Sequence, residues 1–402
     1  MRSRRNLTGR LTATSGCCAR SVPLLANWLI AHKPCRAMLW RQWRLCVGWL
    51  KRWRYWEFWP PWFFYLPLLP SLFLLAVRYR GALMVTAVNP GITRHGRFIV
   101  NRKSKKLAAL PRRAVPPFVL LRAADGLAER LAQARAFAAA QGLPLVLKPD
   151  LGGRGSGVWI VRSLAGLERD VALVDYDVLL QAFAPGEEYG VFWVRAPGRE
   201  RGRIVSITRK ALPSVVGDGV CTVAQLVLAH PRVVCFAPLL LRNLGRRAHE
   251  IPAAGERVVV GELGTHSRGA LFRDARGCRT AALERAIAGL AAAQEGFHFG
   301  RFDIRVVSEA ALRRGEGLQV LELNALGAEM THIWDPRLGL RSGWRTLRWQ
   351  WQLAFHIGWR NRRAGAPGAS IGEAVRELAE LWALHQRHEA ASSRRSPQAV
   401  SR

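Results

Sequence analysis

Lysine is nearly missing from this chain. Of 402 residues, 61 are basic, yet the only lysines are Lys33, Lys51, Lys103, Lys105, Lys106, Lys148 and Lys210. Acids are scarce too: 28 Asp and Glu leave a formal charge of +33, and none precedes Glu57. Such a charge ordinarily points to nucleic acid or anionic lipid. Here it is carried by arginine amid abundant Ala, Gly and Leu, the mark of a GC-rich coding bias. It is therefore discounted as a functional signal, although it still predicts adhesion to anionic surfaces. A lysine standing where chemistry needs one is, for the same reason, less apt to be decoration. The seven cysteines lack metal-ligand spacing: Cys17 and Cys18 are adjacent and the others are isolated. Their odd number and scatter argue against a disulfide framework and for a reducing compartment. There is no internal repeat and no nucleophile elbow. The N-terminal "SVPLLANWLIAH" is too short and proline-broken for a cleavable signal.

What is present is enough for two or three modest domains, with 50% hydrophobic residues to build their cores. Residues 1–56 form a basic, tryptophan-rich region. Its first part is expected to be disordered or non-native, and patterned sequence begins at Met38. Tryptophans 40, 43, 49, 53, 56 and 59 suit either an amphipathic helix at a membrane surface or one packed on the main domain. Residues 57–111 are an apolar segment and linker. Phe58 to Val77 holds twenty uncharged residues, about the length of a membrane span. Pro60, Pro61, Pro67 and Pro70 interrupt it, which favours interfacial or buried docking. Residues 112–336 alternate strand and helix patterns. They start with a short strand, an alanine-rich helix from about Gly126 to Gln141 and a strand at Leu145 to Lys148. Residues 337–390 read as two helices, and 391–402 as a disordered tail.

The stretch "LVLKPDLGGRGSGVWIV", Leu145 to Val161, carries the first chemical signal. A P-loop needs its lysine after the glycines, with a helix following; here Lys148 precedes them. The dinucleotide fingerprint opens a helix, but "VWIV" is strand-like. The remaining reading is a hairpin whose glycine-rich turn offers backbone N–H groups to phosphate as a flap, or else an ordinary glycine hairpin. Further on, "LLQAFAPGEEYGVFWV" places Glu187 and Glu188 at a strand edge, where a carboxylate can accept both ribose hydroxyls. Backbone groups near Gln181 can read an adenine edge. "FGRFDIRV" and "LQVLELNALGAEMTHIWDP" put Asp303, Glu322 and Asn324 on one face, since Glu322 and Asn324 are two apart. Two carboxylates and a carboxamide are hard donors suited to Mg²⁺ held partly by phosphates. A solvated or salt-bridged strand acid is the plainer alternative for each, but a buried carboxylate needs a partner.

This ordered set resembles the ATP-grasp superfamily, the group that includes D-alanine–D-alanine ligase, glutathione synthetase and cyanophycin synthetase, over roughly Lys105 to Pro336. The resemblance implies an α+β fold in which two subdomains grip ATP between antiparallel sheets. It assigns Lys105 and Lys148 to the nucleotide phosphates, Gly152, Gly153, Gly155 and Gly157 to the flap, Gln181 to the adenine hinge and Glu188 to the ribose. Asp303, Glu322 and Asn324 become ligands of Mg²⁺, with Mn²⁺ as a substitute. Arg301 steadies the transferring phosphate. The chain departs from D-alanine ligases after the E-x-N pair, where Glu329, Thr331 and His332 replace a Pro-Gly turn. "SITRKALPSVVGDGVCTVAQLV" is nearer the cyanophycin synthetase side, with Arg209 or Lys210 near the site, and Arg268 is placed to hold a carboxylate. The layout resembles that of bacterial carboxylate–amine ligases.

The implied activity is ATP-dependent joining of a carboxylate to an amine through an acyl phosphate, in the cytoplasm. Peripheral contact of residues 38–86 with the inner membrane and a homodimer are admitted rather than required. No specific nucleic acid is expected. One alternative is an ATP-grasp kinase; another is a basic nucleic-acid- or membrane-binding protein without catalysis. A Ser267, His266, Asp274 hydrolase is disfavoured by the missing elbow.

Overall fold

Period-two alternation in "LVLKP" sends Leu145 and Leu147 one way and Lys148 the other, and the fold is built on that division. The computed structural model describes residues 33–92, 102–153 and 155–395, with side chains from Met38 onward. Residues 1–32 of the basic N-terminal region, whose first part is expected to be disordered or non-native, and residues 396–402 of the expected tail lie outside the described residues. The first sheet has four antiparallel strands: β1 (Phe118–Leu121), β2 (Leu145–Pro149), β3 (Trp159–Val161) and β4 (Val178–Ala182), in the order β1-β4-β2-β3. Leu121, Leu145, Leu147 and Leu180 meet the helices Gly126–Gln141 and Leu164–Ala172 on one face. Val146, Lys148 and Gln181 turn to the opposite face, towards a cleft.

The second sheet has five antiparallel strands: β5 (Glu187–Val194), β6 (Arg203–Ala211), β9 (Leu271–Asp274), β10 (Phe299–Val306) and β11 (Gln319–Asn324), in the order β11-β10-β5-β6-β9. Between β6 and β9, β7 (Ser214–Val216) pairs with β8 (Arg257–Val259) as a separate ribbon. Tyr189, Val191, Phe302, Ile304, Val320 and Leu323 face a core closed by the helix Ala281–Ala292. That helix starts at Thr280, whose hydroxyl accepts from the Leu283 N–H at 3.1 Å, and it buries Leu283, Ile287, Leu290 and Ala291 at i, i+4, i+7 and i+8. Each such large side chain contributes about 1.5–3 kcal/mol. Glu188, Asp303, Arg305 and Glu322 turn to the cleft. The two α+β lobes therefore face each other across a cleft between antiparallel sheets, the α+β arrangement expected from the motifs.

The flanking segments are not separate units. The helix Lys33–Arg54 lies on a satellite core that includes Val234 and Phe236. The turn Ala82–Val88 and the helix Leu340–Arg363 cover Phe192, Val194 and Phe299 at the far end of the second sheet. The last helix, Ile371–Arg395, runs through the start of the expected disordered tail. Ala391 is buried in the first lobe, and Arg395 Nη2 lies 2.8 Å from the Asp170 carboxylate.

Candidate functional site

The cleft is lined from both sheets. Val146, Ile160 and Leu321 give apolar walls. Lys148 Nζ donates to Gln181 Oε1 at 2.7 Å and to the Leu321 carbonyl at 2.9 Å, so it bridges the lobes. Gln181 also donates through Nε2 to the Pro116 carbonyl at 3.2 Å. Its side chain thus positions Lys148, and Ala182 to Ala184 line the cleft beside it. Burial is the largest influence on Lys148 and lowers its pKa to about 8, against the pull of Glu322.

The helix Lys103–Ala108 supplies the second lysine, and the cleft-facing one is Lys103. Lys105 is exposed on the outer side of the helix. Helical phase explains the choice: Lys103, Lys106, Leu107 and Leu110 share the buried face, at the spacing i, i+3, i+4, i+7. Lys103 Nζ donates to the Gly152 carbonyl at 2.7 Å and lies 3.7 Å from Glu322 Oε1. Lys106 Nζ donates to the Leu323 carbonyl, and burial lowers its pKa to about 8. The start of this helix is held by Asp150, fully buried two residues after Lys148. Its Oδ1 accepts from the Ser104 N–H at 2.8 Å, and its other oxygen pairs with Arg102 at 3.1 Å.

The glycine-rich turn is a hairpin between antiparallel β2 and β3. Gly153 and Gly155 line the cleft, and Gly152, Gly155 and Gly157 take positive φ. At Gly152 φ is +119°, and a Cβ there would stand 2.9 Å from His388 Cε1, so only glycine fits. The last helix thus braces the turn, and Ser156 Oγ donates to Glu389 Oε1 at 2.8 Å.

Opposite the turn, β10 and β11 pair Asp303 directly with Glu322, and Arg301 with Asn324. A bulge between Asp303 and Ile304 keeps both acids on the cleft side while Val320 and Leu323 enter the core. Asn324 Nδ2 donates to Asp303 Oδ2 at 3.0 Å. Arg301 grips Asp303 with Nε at 2.7 Å and Nη2 at 3.0 Å, and donates to the Glu329 carbonyl at 3.0 Å. Burial opposes ionisation of Asp303, but Arg301 and Lys210 outweigh it and hold the pKa at about 2. Burial likewise opposes ionisation of Glu322, and Lys103, Lys106 and Lys148 together bring its pKa below the usual value despite Asp303 nearby. Both acids are therefore charged oxygen donors. No group of three His, Cys, Asp or Glu suited to a metal exists among the described residues. The set fits a hard cation that takes its remaining ligands from phosphates.

Lys210 sits at the centre, 2.9 Å from Glu188 Oε1 and 3.0 Å from Asp303 Oδ1. Its neighbour Arg209 turns away to Glu187 at 2.6 Å, which resolves the choice between them. Arg305 Nη2 is 3.3 Å from Glu188 Oε2. The loop Glu262 to Thr265 closes over Glu188 and lines the cleft. Neither Arg305 nor this loop stood out in the sequence. Arg268 faces the glycine turn: its Nε is 3.4 Å from where a Cβ on Gly155 would lie, and its guanidinium makes no hydrogen bond or ion pair among the described residues.

The residues after the E-x-N pair are occupied elsewhere. Glu329 accepts from Tyr65 OH and, at 2.9 Å, from Trp334 Nε1. Thr331 bonds Thr208 at 3.0 Å, and buried His332 meets Ser206 Oγ at 2.7 Å, with burial lowering its pKa to about 4. His266 approaches Glu57 at 3.4 Å and Asp274 pairs with Arg276 at 2.8 Å, so the hydrolase set does not assemble.

No family model matches the chain, and no curated protein matches it. Among solved structures it is similar to a bifunctional glutathione synthetase from Pasteurella multocida at 20% identity and a TM-score of 0.33, over 58% of this chain and 33% of that one. It is also similar to a D-alanine–D-alanine ligase from Bacillus anthracis (15% identity, TM-score 0.38, over 66% and 68% of the two chains). A third is an L-amino acid ligase from Bacillus licheniformis (15% identity, TM-score 0.31, over 56% and 40%). The chain spans about a third of the length of the glutathione synthetase.

Proposed function

We propose that the protein is an ATP- and Mg²⁺-dependent carboxylate–amine ligase of the cytoplasm. The observation that carries this reading is the convergence, in one cleft between two antiparallel sheets, of Lys103, Lys148, the glycine turn, Glu188 and the cross-strand pair Asp303 and Glu322. Val146, Ile160 and Leu321 would sandwich the base, the backbone from Ala182 to Ala184 would read its edge, and Glu188 would take the ribose hydroxyls. Lys103 and Lys148 would exchange their present carbonyl, amide and carboxylate partners for phosphate oxygens. Asp303, Glu322 and Asn324 would hold the divalent cation, Mg²⁺ or Mn²⁺, whose contribution when bound is to offset phosphate charge.

In the reaction, a substrate carboxylate oxygen attacks the terminal phosphorus of ATP and the bond to ADP breaks. The amine nitrogen then attacks the acyl carbon, phosphate leaves with the former C–O bond pair, and the nitrogen loses a proton. Arg301, held by two bonds to Asp303, would stabilise charge on the transferred group. Arg268, which makes no hydrogen bond or ion pair among the described residues, lies on the flap side and would suit the acid substrate. Lys210 ties the ribose and metal subsites together. The braced glycine turn would exclude water, which otherwise hydrolyses the acyl phosphate.

The experiment is hydroxylamine trapping with MgATP and a pool of amino acids and small carboxylic acids. Wild type should form hydroxamate and ADP, and Lys148→Ala should not. A stable phosphorylated product without hydroxamate would instead identify a kinase. Folded protein giving neither product nor nucleotide-dependent thermal stabilisation would overturn the nucleotide reading.

A further inference from the structure

The helix Lys33–Arg54 turns its buried side, Arg44, Leu45 and Gly48, to the protein. Arg44 Nε donates to the Leu228 carbonyl at 2.8 Å, and Leu45 and Gly48 pack on the core around Val234. The opposite side should then be polar. It is not. Leu39, Trp43, Cys46, Leu50 and Trp53 recur at spacings of four and three and all point outward; Trp43 is 63% exposed and Leu50 58%. A second outward stripe follows in the stretch Pro61–Arg78: Leu66, Leu69, Phe73, Leu74 and Val77, with Phe73 69% exposed. Trp53, Trp59, Trp62 and Phe63 join the two, with ring centroids 5.0–5.9 Å apart. An apolar surface of this extent marks an interaction site.

Charge selects the occupant. Glu57 is the only acid before Asp125, and it is buried against Arg232 and His266. Among the described residues 38–92, Arg41, Arg52, Arg54, Arg78 and Arg80 are therefore exposed and no carboxylate of this segment is. We infer that this surface docks the enzyme on the face of a bilayer rich in anionic lipid, the apolar stripes entering the headgroup boundary and the arginines meeting phosphate. A second copy of the same surface would bring like charges together. Nucleic acid would leave the aliphatic stripe exposed.

The stretch lies on the bilayer and does not cross it. Pro61–Arg78 is long and apolar enough to span by length and composition. However, its Phe64 and Leu68 pack against Ile333 and Leu347, and Leu75 packs against core residues including Phe192 and Phe355. One side is thus held by the protein body along the whole stretch. The inference does not depend on the ligase reading.

The test is flotation of the full chain with vesicles of phosphatidylcholine, with and without phosphatidylglycerol. Wild type should float with the phosphatidylglycerol vesicles at physiological salt. The triple variant Trp43→Gln, Leu50→Gln, Phe73→Gln keeps every charge and should bind at least about tenfold more weakly, since three apolar side chains no longer partition. Arg54→Gln with Arg78→Gln should weaken binding to the anionic vesicles alone. Unchanged melting temperatures keep the comparison fair. Equal flotation of wild type and the triple variant would mean charge alone is responsible and would overturn the inference. So would wild type that stays in solution, or a vesicle-independent dimer that the triple variant dissolves.

Discussion

Replacing Lys103 by alanine, set against the same change at Lys105, tests the site at its most specific point. Lys103 is buried, with its ammonium 2.7 Å from the Gly152 carbonyl and 3.7 Å from Glu322. Lys105, two residues on, is exposed. If a nucleotide phosphate takes the place of these partners, Lys103→Ala removes one charge-assisted hydrogen bond from a desolvated site. Such bonds contribute about 1.5–3 kcal/mol, which corresponds to an increase in the Kd for ATP of about ten- to a hundredfold. Lys105→Ala should leave the Kd within about twofold, because a solvated charge at that position is screened. Titration calorimetry with a non-hydrolysable ATP analogue at physiological salt reads both values, and thermal melts confirm that both variants fold. Wild-type affinity in Lys103→Ala, or an equal loss in Lys105→Ala, would refute the reasoning from helical phase to phosphate contact.

Four further outcomes are predicted. Glu322→Gln keeps the shape of β11 but removes a carboxylate from the proposed cation site, so turnover should fall at least about a hundredfold while the melting temperature changes little; full activity would take Glu322 out of the site. Because burial lowers Lys148 and Lys106 from 10.5 to about 8, the unfolded chain holds more protons than the folded one between those values, and stability should rise with pH across that window. Phosphate needs Lys148 charged, so ATP affinity should fall as pH rises through about 8, with proton uptake on binding; calorimetry in buffers of different ionisation enthalpy checks this, and a flat profile would contradict it. Gly152→Ala should cost on the order of 1–3 kcal/mol through its positive φ and the contact with His388. Gly142→Ala, with positive φ and open space, isolates the backbone share, and equal melting shifts for the two would remove His388 as a brace.

Local spacing was enough for much of this protein. A two-residue period puts Glu322 and Asn324 on one face, because a strand alternates its side chains whatever it packs against, whereas the meeting of Lys148 with Gln181 depends on the pairing of two strands. The helix from Gly126 to Gln141 was legible from its alanine-rich composition, and the return strand after the glycine turn from its short apolar run. Lys103 was legible in principle: counting back from Leu107 and Leu110 puts it inside and Lys105 outside. Tertiary structure decided what no spacing encodes. The bulge beside Asp303, the loop Glu262 to Thr265 over Glu188, the brace of Ile371–Arg395 on the glycine turn, and Tyr65 on Glu329 all join residues far apart in sequence. The same holds for the outward tryptophan stripe. Sequence showed an amphipathic helix, but which face meets the protein depends on a partner surface around Val234, nearly two hundred residues away, and only packing reveals it.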